Sequence, residues 1–123
     1  MSADHDAARG GQPAPGAALA AFERMLAAGK DSALLRYSIG NEHMKARDWR
    51  AAIGALERSV ALDPGFTAAW KLYAKALDQA GEPSAALDAY RKGIEVAQRK
   101  GDRQAEKEMT VFARRIERTL GAR

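Results

Sequence analysis

Only two imidazoles, His5 and His43, are present, and none of the 123 residues is a cysteine. Thiolate metal sites, disulfides and cysteine nucleophiles are therefore excluded, and a lone histidine does not make a metal site. His5 falls in a Gly- and Pro-bearing N-terminal stretch and His43 at a helix-packing spacing, so neither has the partners a general base needs. No GxxxxGK, HExxH or GxSxG arrangement occurs. The carboxylates are scattered, mostly as opposite-charge neighbours along helices, as with Glu42 and Lys45 or Asp88 and Lys92. The chemistry left to these residues is non-covalent: ammonium and guanidinium groups that can hold a carboxylate or phosphate by charge-assisted hydrogen bonds. The residues predict no enzyme, no cofactor and no metal.

Binding groups converge only where folded elements bring them together, and the elements here repeat. ALAAFERML at Ala18–Leu26 returns as AIGALERSV at Ala52–Val60 and as ALDAYRKGI at Ala86–Ile94, spaced 34 residues apart both times. In each copy a small Ala (Ala18, Ala52, Ala86) precedes a large side chain (Phe22, Leu56, Tyr90) by four residues. An aliphatic (Leu26, Val60, Ile94) follows four residues later. These offsets lie on one helical stripe, and a fixed period in this range marks a stacked repeat. Abundant Ala, Leu, Glu, Lys and Arg agree with an all-helical chain.

Along the chain, residues 1–15 lack periodicity, carry Gly10, Gly11, Pro13 and Pro15, and read as a disordered lead-in to a single helical domain over 16–121. The pattern predicts six helices. The first runs from about Gly16 to Ala28 and is stopped by Gly29. The second is capped by Asp31 or Ser32, with Leu35, Ile39, His43 and Met44 inward. The third covers about Arg50 to Leu62 and ends at Asp63-Pro64-Gly65. Thr67 is expected to cap the fourth, with Trp70, Tyr73, Ala74 and Leu77 inward, and Ser84 the fifth. The last, about Asp102 to Leu120, has one apolar stripe of Ala105, Met109, Phe112, Ile116 and Leu120, as a solubilising cap should.

The net charge of +4 sits entirely in the last fifth. Twelve basic and twelve acidic residues balance up to Ala97, and eight basic residues face four acids from Gln98 onward. No apolar run approaches the roughly 20 residues of a membrane span. The N-terminal stretch has acidic and small residues where a secretory peptide needs a basic start and an apolar run. A cytoplasmic protein is expected.

The residues resemble the tetratricopeptide repeat (TPR) family, in particular its small stand-alone bacterial-type members, whose unit is a 34-residue pair of antiparallel helices. Ala33–Phe66 looks like one full unit, with Gly40 at the small position, Asp48-Trp49 at the turn, Ala52, and Leu62-Asp63-Pro64 at the end. Thr67–Lys100 looks like a second, with Trp70, Ala74, Gly81, Ala86 and Tyr90. Arg36 and His43 depart from the family's Trp and Tyr, and Gln98 from its closing Pro. The resemblance implies an all-α solenoid of two full repeats flanked by half-repeats, ending in a C-terminal capping helix.

It also implies a non-enzymatic adaptor that takes a peptide or a partner's helix in a concave groove lined by the first helix of each unit. Carried over, the groove positions are Leu34, Tyr37, Asn41, Met44 and Lys45, then Lys71, Lys75, Asp78 and Gln79. The last helix adds Arg103 and Lys107 in a register with a one-residue insertion, which is the one expected because it turns Ala105, Met109 and Phe112 inward together. Without the insertion Asp102 and Glu106 would face the groove. Some members of the family hold a C-terminal carboxylate with a clamp of two Lys, two Asn and a further Lys or Arg. Here Asn41, Arg103 and Lys107 match that clamp, but Tyr37 and Leu72 replace a Lys and an Asn. An acidic segment of another protein is the implied partner. Two other readings stand behind this one. In the first, RNA or a membrane surface binds Arg114, Arg115 and Arg118, although Glu106, Glu108 and Glu117 interrupt that basic run. In the second, copies self-associate through the first helix, which lacks its partner.

Overall fold

The structure, a computed structural model, describes residues 16–121, so the lead-in expected over 1–15 lies outside the described residues. Six helices follow one another: α1 (Ala17–Ala27), α2 (Ala33–Lys45), α3 (Trp49–Leu62), α4 (Thr67–Gln79), α5 (Pro83–Lys100) and α6 (Arg103–Gly121). No strand occurs among the described residues. The all-α solenoid expected from the 34-residue period is the fold observed.

Local chemistry sets the boundaries. The Ser32 hydroxyl accepts from the Leu35 N–H at 3.0 Å and the Asp48 carboxylate from the Ala51 N–H at 3.3 Å, satisfying N–H groups that a helix start leaves without partners. Two expected caps are not used. Thr67 is the first residue of α4, and Phe66 takes the cap position without a side-chain bond. Pro83, whose fixed φ and missing N–H suit a first turn, opens α5, so Glu82 is its cap and Ser84 lies inside the helix. At the α2–α3 turn Arg47 adopts a left-handed φ of 58°, a conformation Gly81 supplies at the matching α4–α5 turn.

The core runs between neighbours along the array. Leu35, Ile39 and Ala55 meet Leu19, Phe22 and Leu26 of α1. Ala52, Leu56 and Ala76 then join α3 to α4. A third cluster binds α4, α5 and α6 through Ala74, Leu77, Tyr90, Met109, Ala113 and Ile116. The buried Ser59 hydroxyl donates to the Ala33 carbonyl at 2.8 Å, tying α3 to the start of α2. Burial pushes the Tyr90 phenol up to about 12. Two members of the recurring Ala series mark tight crossings, since Ala52 and Ala86 have no exposed surface, whereas Ala18 is half-buried. Replacing Ala52 by Leu would force extra atoms into a filled crossing and should cost about 1–3 kcal/mol. A denaturant midpoint equal to that of the parent protein would show that Ala52 is not at a crossing.

The α6 register differs from the one-residue insertion that would align its apolar stripe. α2, α4 and α6 begin at Ala33, Thr67 and Arg103, so the spacing is 34 residues and then 36. The two extra residues come with α5, which has 18 residues against 14 in α3. The result turns Met109, Ala113 and Ile116 fully inward, with Ala105, Phe112 and Leu120 at their flanks.

Candidate functional site

On α2, Tyr37, Asn41, Met44 and Lys45 follow the helical repeat and share a face. On α4, Ala68, Lys71, Leu72 and Lys75 share another. Where the two faces meet, Tyr37, Ala68, Lys71, Leu72 and Lys75 line a hollow of about 280 Å³. The Tyr37 ring is held against Phe66 with centroids 5.0 Å apart and planes tilted by 39°. Both Tyr37 and Leu72 pack at the edge of the Leu56 cluster, so the floor of the hollow is anchored in the core.

The remaining positions are distributed as follows. Met44 packs against the same cluster and is half-buried, so much of its surface already serves the fold. Asn41 is half-buried, and Lys45 is exposed with its ammonium 2.9 Å from Glu42. Lys71 reaches across to α6, where its ammonium donates to Glu108 at 2.6 Å. That bond holds the Glu108 carboxyl below the usual carboxylate range, with a smaller contribution from Gln104. Lys75 is exposed and makes no ion pair among the described residues. Leu34, Asp78 and Gln79 are exposed as well.

Arg103 and Lys107 do not join this hollow. They line a separate concavity of about 690 Å³ on α6, with Glu106, Thr110, Val111 and Arg114. The two-residue shift of α6 explains the separation: it brings Glu108 rather than Arg103 or Lys107 to Lys71. The structure therefore brings Tyr37, Lys71 and Lys75 together and sets Arg103 and Lys107 apart. Glu108 is the residue that sequence reasoning missed. Only the length of α5 would have pointed to it, because every shift of α6 changes which of its side chains meets α4.

Among the described residues no group of three or more His, Asp or Glu could hold a metal ion, and no helix is long and apolar enough to cross a membrane. The arrangement offers binding: an apolar floor, a phenol and a cation. The family model for the tetratricopeptide repeat matches residues 37–102. The chain belongs to the tetratricopeptide repeat family. It is 45% identical over 97 residues to a TPR repeat-containing protein of Pseudomonas aeruginosa, spanning 79% of this chain and 92% of that one. A solution structure of a Bordetella parapertussis protein is similar with a TM-score of 0.74 and 36% identity, over 84% of this chain and 90% of that chain. A tetratricopeptide repeat domain protein from Salinibacter ruber gives 0.65 and 25%, over 71% and 88%. Tetratricopeptide proteins are generally non-enzymatic scaffolds for protein–protein interaction, and the fold of this array is of that kind.

Proposed function

We propose that this TPR array is a cytoplasmic, non-enzymatic adaptor that binds an acidic, partly apolar segment of another protein along α2 and α4. The observation that carries the reading is the hollow in which Lys75 stands, without a counter-ion among the described residues, beside the Tyr37 and Leu72 floor. An apolar side chain of the partner would cover Tyr37 and Leu72, and its carboxylate would meet Lys75. Asn41 and Lys45 would extend the contact along α2. Lys71 contributes less charge than its type suggests, because Glu108 already compensates it. Arg103 and Lys107 would draw the acidic segment in from the α6 end and raise the encounter rate. Nucleic acid fits less well: on α6 Glu117 is paired with Arg91 at 3.1 Å, and Arg115 lies over the Phe112 ring at 5.5 Å.

A blocked peptide alternating Glu with Leu and Phe is a suitable probe for titration. Its affinity should fall as salt rises through about 0.1 M, where the screening length is about 10 Å, and level off at an apolar remainder. Lys75→Glu should weaken it about fivefold, and Ala68→Glu, which adds an acid to an exposed wall of the hollow, by a similar factor. Neither change touches the core. Affinity unaltered by both substitutions would place the site elsewhere.

A further inference from the structure

Half a turn around α4 from the Tyr37 hollow, Trp70, Tyr73 and Leu77 face the opposite side of the array. There they form the floor of a second cleft of about 600 Å³, walled by α3 on one side and α5 on the other. The cleft is larger than the Tyr37 hollow and its lining is mostly apolar. Its volume falls within the range of clefts that bind small ligands or side chains.

The aromatic floor is fixed. The Trp70 indole N–H donates to the Pro64 carbonyl at 2.8 Å, and the Tyr73 hydroxyl donates to Glu57 at 3.2 Å. The rings pack at 6.1 Å between centroids with planes tilted by 54°. With both polar tips engaged and the rings half-buried against the core, the surface they offer a ligand is the part that lines the cleft. Charge at the mouth is unequal: Glu57 on α3 and Asp88 on α5 supply two carboxylates, and Lys92 one ammonium. Asp88 has no salt bridge among the described residues, Lys92 included. Fixed aromatic rings beneath a net negative rim attract a cation that also carries apolar surface. A guanidinium meets both demands, since its plane stacks on rings, its fork fits carboxylates and its stem is aliphatic.

We propose that this outer cleft receives an arginine side chain, flanked by apolar residues, from a partner protein. The contact is independent of the acidic segment assigned to the Tyr37 hollow, so the array would read opposite charges on its two faces. A partner would have to present its arginine on a protruding segment to reach the rings between α3 and α5. Lys92 acts against the ligand and sets an upper limit on affinity.

The test uses the full chain carrying Trp49→Phe, so that the indole N–H resonance reports Trp70 alone. The probes are the blocked pentapeptide Ala-Leu-Arg-Leu-Ala and the same peptide with citrulline, a neutral isostere, in place of arginine. The arginine peptide should shift the Trp70 indole resonance and bind at least about threefold more tightly than the citrulline peptide. Glu57→Gln, whose amide oxygen still accepts from Tyr73, and Asp88→Asn should each weaken it. Lys92→Gln should strengthen it, and Ala61→Arg, on an exposed wall of the cleft, should abolish it. Equal affinity for the two peptides would overturn the proposal. So would an unmoved Trp70 resonance, weaker binding in Lys92→Gln, or full binding in Ala61→Arg.

Discussion

Leu56→Ala is expected to lower the unfolding free energy by about 2–5 kcal/mol, the range for large-to-small changes at closed core sites. Leu56 is fully buried, and its side chain fills the notch left by Gly40 on α2. A Cβ built on Gly40 would lie 2.5 Å from Leu56 Cγ and 2.7 Å from one of its methyl carbons. Gly40→Ala should therefore destabilise on its own: overpacking costs about 1–3 kcal/mol, against about 1 kcal/mol gained in helix propensity. In the Leu56→Ala background the added methyl has room, so the same substitution should become stabilising. Urea melts of the four proteins check this. Additivity within about 0.5 kcal/mol would mean that the two positions do not share a notch.

Met109→Ala should also cost about 2–5 kcal/mol, with a local signature. Met109 has no exposed surface, and its sulfur would lie 2.5 Å from a Cβ on Gly93, so it fills the notch of α5 as Leu56 fills that of α2. α6 packs on α5 and touches α4, with no later helix to hold it among the described residues. In a stacked array each element depends chiefly on its neighbours. The loss should therefore appear as faster amide exchange throughout α6 while the amides of α2 to α4 remain protected. An equal loss of protection along the whole chain would mean that the array opens as one unit.

The parts of this fold legible in the sequence are those a period can carry. The Ala18, Ala52 and Ala86 series, the Gly40 and Ala74 small positions and the Asp63-Pro64-Gly65 break mark helices, crossings and turns through local chemistry alone. The α6 register was less legible, because α5 runs on past the length of α3 and no residue within it signals two extra positions. Lys71 shows the consequence. Its spacing from Tyr37 and Lys75 is set on α2 and α4, whereas its pairing with Glu108 depends on where α6 begins. The starts of α4 and α5 do not use Thr67 and Ser84 as caps for a different reason: Pro83 already satisfies a helix start, and Phe66 is held by Tyr37. Trp70 and Tyr73 carry an inward-facing spacing, and spacing does not separate a residue enclosed by the core from one that forms the floor of a cleft.

Partners held on the α2 and α4 face should be lost by changes there and kept by changes on the basic face of α6. Quantitative capture from the host cell reads this difference, with the full chain compared to two variants of equal thermal stability. One variant carries Ala68→Glu and Lys75→Glu at the Tyr37 hollow, and the other Arg114→Ala, Arg115→Ala and Arg118→Ala on α6. The first should lose the proteins captured by the parent chain, and the second should retain them. Retention by the first with loss by the second would rule out the α2 and α4 face and make the basic face of α6 the working surface.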